Sequence, residues 1–279
     1  MLCQMMNYTK YFCIFVKTIY FFVLFGRYPW DPQPSDASHL TVWYRAAFYA
    51  AGLLVLALGL TLNTKAGLGV SAIISVSYSI SLIFNLNFGN VTLGLYTVFV
   101  ILEIILHLIH HHSSLRKQPE ALTPSSRASL KFILLADVLQ IPLSIAFTRF
   151  LNVFSALLPD FPPENTLPLF ALRLLTVICA IILTGIGAAA SLNMRLIPNP
   201  GDGIVQAIAD TIHKSVGFSK NCFDVVNIAI AIALGFLFTG KLQGVGIGTV
   251  LAVIGVGRSI AVFNHFAQDR MKKLADIRD

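Results

Sequence analysis

The sequence predicts an all-α integral membrane protein. It would have six transmembrane helices in two inverted three-helix repeats, each repeat with a short re-entrant or broken helix, plus an N-terminal interfacial helix. Three observations predict this. The 279 residues are 56% hydrophobic and only 12% charged, with a mean hydropathy of +0.76, whereas a soluble domain carries about 25% charged residues. The charges cluster between long apolar stretches, as they must if hydrocarbon excludes them. A Gly-rich turn followed by a short helix recurs at corresponding places in the two halves.

Along the chain, residues 1–44 form an aromatic segment and linker. Tyr11–Phe25 is apolar but, at about 15 residues, shorter than the roughly 20 a spanning helix needs, and Lys17 interrupts it. No small-residue cleavage site follows, so an interfacial helix is expected ahead of the polar stretch Tyr28-Pro-Trp-Asp-Pro-Gln-Pro-Ser35. Six segments, roughly 46–64, 88–108, 130–150, 172–192, 221–239 and 244–264, are long enough to span. Ser71–Leu86 and Gly203–Val216 are too short to cross about 30 Å of hydrocarbon. The second also carries Asp210, His213 and Lys214, which lipid would not tolerate.

Aligning the halves places Leu62-Asn63-Thr64-Lys65 on Leu192-Asn193-Met194-Arg195, and the turn Gly67-Leu-Gly-Val-Ser71 on Pro198-Asn-Pro-Gly-Asp-Gly203. Asn152 falls on Asn264. The repeats are therefore 45–154 and 172–266, joined by an extracytoplasmic linker, 155–171, and followed by a basic cytoplasmic tail, 267–279. Charge selects the topology. If the short helices re-enter, only Lys65, Arg149, Arg173 and Lys241 fall opposite the other basic residues of the repeats and tail; if they span, the contrast fades. Three spans per half require the repeats to be inverted, as in many secondary transporters.

The net charge of +7 does not signal nucleic acid, because the basic residues end apolar segments and form no stripe with aromatics. Lipid headgroups account for them. The four cysteines have neither paired nor metal-ligand spacing. His107, His110, His111 and His112 crowd one helix end, but no carboxylate or Cys completes a set there, so a basic interfacial tip is expected and no metal site. No nucleophile–base pair, P-loop or metal-protease helix occurs, so no enzyme and no cofactor are expected.

The two turns are the first candidate site. A helix start at membrane depth presents free N–H groups and the positive end of its dipole, which favours an anionic group. Gly67, Gly69 and Ser71 in one turn, and Asn199, Gly201, Asp202 and Gly203 in the other, would bind a solute through backbone groups. Ser71 can cap a helix, and Asp202 can cap or hold a cation or proton. The competing reading is two tight turns that merely close helix hairpins. Within spans, Asp137, Asp224 and Asn227 are candidates for coupling, with interhelical packing as the alternative. Gln140 shares a helix face with Asp137, and Glu103 is close enough to a helix end to reach the interface. Gly185, Gly187, Gly244, Gly246 and Gly248 would permit close helix contact.

An Arg-led first helix running into Asn63-Thr-Lys-Ala-Gly-Leu-Gly-Val-Ser71, then Asn199-Pro-Gly-Asp-Gly-Ile204 and Gly244-Val-Gly-Ile-Gly-Thr249, resembles the YczE/YitT-type bacterial membrane proteins. The likeness covers about residues 42–266 and leaves the N-terminal extension outside. It implies a multi-pass protein of the bacterial cytoplasmic membrane, with its C-terminus cytoplasmic by the charge rule, and implies little about activity. The function expected is secondary transport or export of a small solute bound between the two turns. A non-transporting scaffold or accessory protein for a biosynthetic or secretory complex is the alternative. Partners would be the bilayer and a small solute, with a homo-oligomer or membrane partner also open.

Overall fold

Every element of the computed structural model is helical among the residues it describes, which are 39–117, 124–162, 164 and 166–277. The expected N-terminal interfacial helix and its linker lie outside them. In chain order the helices are α1 (His39–Ala66), α2 (Ala72–Phe84), α3 (Phe88–Lys117), α4 (Pro124–Leu157), α5 (Leu167–Asn193), α6 (Pro200–Ile212), α7 (Val216–Thr239) and α8 (Ile247–Phe263). A π-helical turn, Asn264–Gln268, carries α8 into α9 (Asp269–Leu274).

Six of these helices are long and apolar enough to cross a membrane: Trp43–Ala66, Phe88–His112, Leu130–Leu157, Leu167–Asn193, Val216–Thr239 and Ile247–Leu274. The apolar periods in the sequence locate all six. Large side chains such as Ile101, Val138, Leu175, Val225, Leu237 and Val250 point outward, the inverse of a water-soluble surface and the pattern lipid requires. α2 and α6 have 13 residues each, or about 20 Å of helix, short of the roughly 30 Å of a bilayer core.

α1 and α5 form the central pair, and small residues let their backbones approach closely. A side chain on Gly52 would strike the Ser191 amide, one on Gly59 the Thr184 amide, and one on Gly187 the Leu56 amide. Gly185 packs in the same way against Ser259 and Val256 of α8. Between apolar helices association depends on close packing, which is what glycine at these positions supplies. Around the pair, α1 also contacts α4 and α5 contacts α8, while α2 lies against α7 and α6 against α3. Several buried hydroxyls are satisfied within their own helices: Thr61 donates to the Ala57 carbonyl and Ser144 to that of Gln140.

The two ends of the bundle differ in chemistry. At one end Lys65 pairs with Asp160 at 2.7 Å, Arg149 donates to Asn90, and Arg173 donates to the Pro162 carbonyl. At the other end Arg45 donates to the Met194 and Arg195 carbonyls, and His110 meets His213 edge to face. The segment read from the sequence as a basic tail begins as helix: Met271, Ala275 and Ile277 are buried in the main core, and α9 contacts α1.

Gly187→Val is expected to lower the unfolding temperature in detergent, with an overpacking cost of at least about 1–3 kcal/mol. Gly257→Ala, where an added methyl group meets open space, should leave it unchanged or slightly raised. Thermal unfolding of the purified variants checks both.

Candidate functional site

The two Gly-rich turns differ in backbone and in how they are held: the glycines of the first are left-handed, whereas Gly201 and Gly203 of the second lie within α6 and have no positive φ. In the first turn, Gly67 and Gly69 take φ of +69° and +101°, values that side chains with a Cβ rarely adopt. Gly69 packs on the start of α8, where a Cβ would meet the Thr249 hydroxyl at 2.7 Å. Main-chain bonds seal this contact: Val70 N–H donates to the Gly244 carbonyl and Gly248 N–H to that of Leu68. Ser71 occupies the N-cap position of α2 without a side-chain capping bond.

Side chains secure the entry to the second turn. Tyr49 donates from its hydroxyl to the Ile197 carbonyl at 2.7 Å, and the Arg45 bond to Met194 lies just before it. Asn199 is the N-cap of α6 through its main-chain carbonyl, which accepts from the Asp202 and Gly203 amides. Asp202 stands in the first turn of α6, where a carboxylate complements the helix dipole. The starts of the two short helices meet, because Gly201 faces the side chain of Ile73 so closely that a Cβ would collide with it.

The polar residues within spans separate into two groups. Asp224 lies 3.5 Å from Lys220 on its own helix, and Asn227 donates to the Phe223 carbonyl, so these two do not bond each other. Asp202 is near enough to feel the charges of both Lys220 and Asp224. The second group gathers on α3 and α4. His107 Nδ1 is 2.8 Å from Asp137 Oδ2, and Gln140 Nε2 donates to Glu103 Oε1 at 2.9 Å. Glu103 does not reach the interface as its position suggested: it is 2% exposed, and its Oε2 has no hydrogen-bond partner. Its carboxylate rests against Gly203, where an added Cβ would stand 2.6 Å from both oxygens.

This second group lies on a cavity of about 1120 Å³ bounded by α3, α4, α6 and the 195–198 segment. His110, His111, Asp210, His213 and Lys214 also line it, and Glu103, Asp137 and Gly203 belong to its wall. Of the residues the sequence offered for solute binding or coupling, Asp137 and Gly203 therefore share the cavity, whereas Gly67, Gly69, Ser71, Asn199, Gly201, Asp202, Asp224 and Asn227 are not among its lining. Glu103, expected at the interface, belongs to this wall as well. The available signal was its four-residue spacing from His107, which puts both on one helix face.

Six long apolar helices with ionisable groups gathered inside them define a multi-pass helical membrane protein. Residues 43–265 match the model of DUF6198, a family of unknown function, and the chain belongs to that family. It is also similar to the uncharacterized protein YyaS of Bacillus subtilis (strain 168), 26% identical over 219 residues that cover 77% of this chain and 90% of the relative. No solved structure matches.

The contact between Gly203 and Glu103 makes a coupled prediction. Gly203→Ala should destabilise the wild-type background and cost less once Glu103→Ala has removed the carboxylate. A coupling energy of about 0.5–3 kcal/mol is expected. Unfolding of the two single variants and the double variant measures it, and strict additivity would show that the contact carries no strain.

Proposed function

We propose that this protein is a secondary transporter or exporter of a small solute, which enters the histidine-rimmed cavity and is bound beside the start of α6. The observation that carries this reading is the cavity itself, which brings ionisable groups and the glycine backbone of a half-length helix to one wall. Irregular backbone among apolar helices is tolerated where it is buried or lines a cavity. The dipole of α6 places partial positive charge near its start without a cationic side chain.

The partner exchange among helices supports two inverted three-helix repeats: α1 pairs with its counterpart α5, while each short helix packs on a long helix of the other half. The meeting of Ile73 and Gly201 supports two re-entrant half-helices that start near the middle of the membrane. The resemblance of both turns to YczE/YitT-type proteins and the distribution of basic residues support a bacterial cytoplasmic membrane. The cavity mouth and the C-terminus then face the cytoplasm. Asp202 and Asp224 are the candidates for coupling to protons.

Two experiments test this. Reconstituted vesicles should move at least one solute of a metabolite mixture, read by mass spectrometry, and Gln206→Trp, which fills the cavity, together with Asp202→Asn should abolish or strongly reduce that flux. Identical fluxes from wild type, both variants and empty vesicles would defeat the proposal; a stoichiometric membrane partner recovered alongside would then favour the scaffold reading. For orientation, Gln206→Cys in a background with the native cysteines replaced should react with an impermeant maleimide from the cytoplasmic side only, and labelling from outside would reverse the topology.

A further inference from the structure

The sequence anticipated no metal site, because no carboxylate or Cys was seen to complete a set with the crowded histidines at the end of α3. The fold completes a set with one carboxylate from the same helix and one from the next. Glu103 and His107 stand one turn apart on α3, and Asp137 approaches from α4. One ligand atom of each, two carboxylate oxygens and an imidazole nitrogen, lie within 4.8 Å of one another.

From this geometry we infer that Glu103, His107 and Asp137 form a binding site for a divalent transition-metal ion at the inner end of the cavity. Bonds of about 2.0–2.2 Å to a tetrahedral ion place ligand atoms about 3.3 Å apart, so side-chain adjustments of an ångström or so close the set. One nitrogen and two oxygens suit zinc, manganese, iron(II) or cobalt(II) rather than the all-oxygen cages of calcium and magnesium.

Three further observations point to a ligand. Glu103 is buried to 2% exposure with its Oε2 unpartnered, and a buried carboxylate left so is costly unless a cation or a proton meets it. Two carboxylates close together among apolar helices add mutual repulsion, which a doubly charged ion cancels at one point. Gln140 already orients Glu103 through a 2.9 Å hydrogen bond, as the outer partners of metal ligands do, while Gly203 leaves room for the carboxylate against the backbone of α6. The same residues line the cavity, so an ion has an entry path and an open coordination position for water or solute. The site shares its cavity with the transport reading but does not need transport to exist.

The test uses the full chain, purified in detergent through a histidine-free tag, stripped with chelator and dialysed against zinc, manganese or cobalt. Wild type should retain one ion per chain by elemental analysis, and cobalt should give visible ligand-field absorption. Glu103→Gln, His107→Gln and Asp137→Asn should each weaken binding at least about tenfold. The combined variant His110→Gln, His111→Gln, His112→Gln should keep it. X-ray absorption on zinc-loaded wild type should show one imidazole with oxygen neighbours, a readout that does not depend on any variant folding. No stoichiometric binding by wild type, a shell of two or more imidazoles, or binding lost only with His110–His112 would overturn the site. In the first case the carboxyl pair holds only a proton. None of these outcomes touches solute flux through the cavity, so the transport reading stands or falls separately.

Discussion

The structure depends on one constraint: backbone polar groups surrounded by apolar helices must find partners inside the protein. Two interruptions of helical backbone have to satisfy it, and they do so by different means. The first turn is sealed by main-chain bonds between Leu68, Val70, Gly244 and Gly248, which are feasible because Gly69 and Gly246 let the two segments touch. The approach to the second turn is held by long side chains, with Arg45 and Tyr49 reaching from α1 to the Met194, Arg195 and Ile197 carbonyls. The cavity lies beside the second turn.

Packing and charge then divide the interior. Where α1 meets α5, glycines remove side chains and the helices are in backbone contact. Where α3, α4 and α6 meet, the side chains are larger and ionisable, and they cluster: Glu103, Gln140, Asp137 and His107 form one connected set. Charged groups are costly among apolar helices, and a cluster on a cavity lets each meet an opposite charge, a donor, a proton or an ion. Asp224, with Lys220 on its own helix, meets the same need locally.

Positions that the sequence aligns between the two halves do not make matching polar contacts. Asn193 donates to Asn264, yet Asn152, which aligns with Asn264, instead accepts from the Gly89 amide. Asn63, which aligns with Asn193, is buried with neither side-chain polar atom bonded. These aligned asparagines thus differ in their polar contacts. The two turns differ in chemistry as well, neutral at Gly67–Ser71 and acidic at Asn199–Gly203.

The sequence by itself determined the features that depend on local composition. Apolar length located the six long helices, because burying the backbone in hydrocarbon demands about 20 consecutive apolar residues. Glycine placement located the first turn, because φ of +69° and +101° at Gly67 and Gly69 excludes most other residues. Only the tertiary structure decided which polar residues meet. Asp137 and Asp224 look equivalent as carboxylates within spans, but one faces His107 across two helices and the other finds Lys220 one turn away. Glu103 read as an interfacial residue because its depth was judged along the helix alone. It is packed against Gly203, a hundred residues further on, and a contact between distant segments leaves no periodic trace in either one.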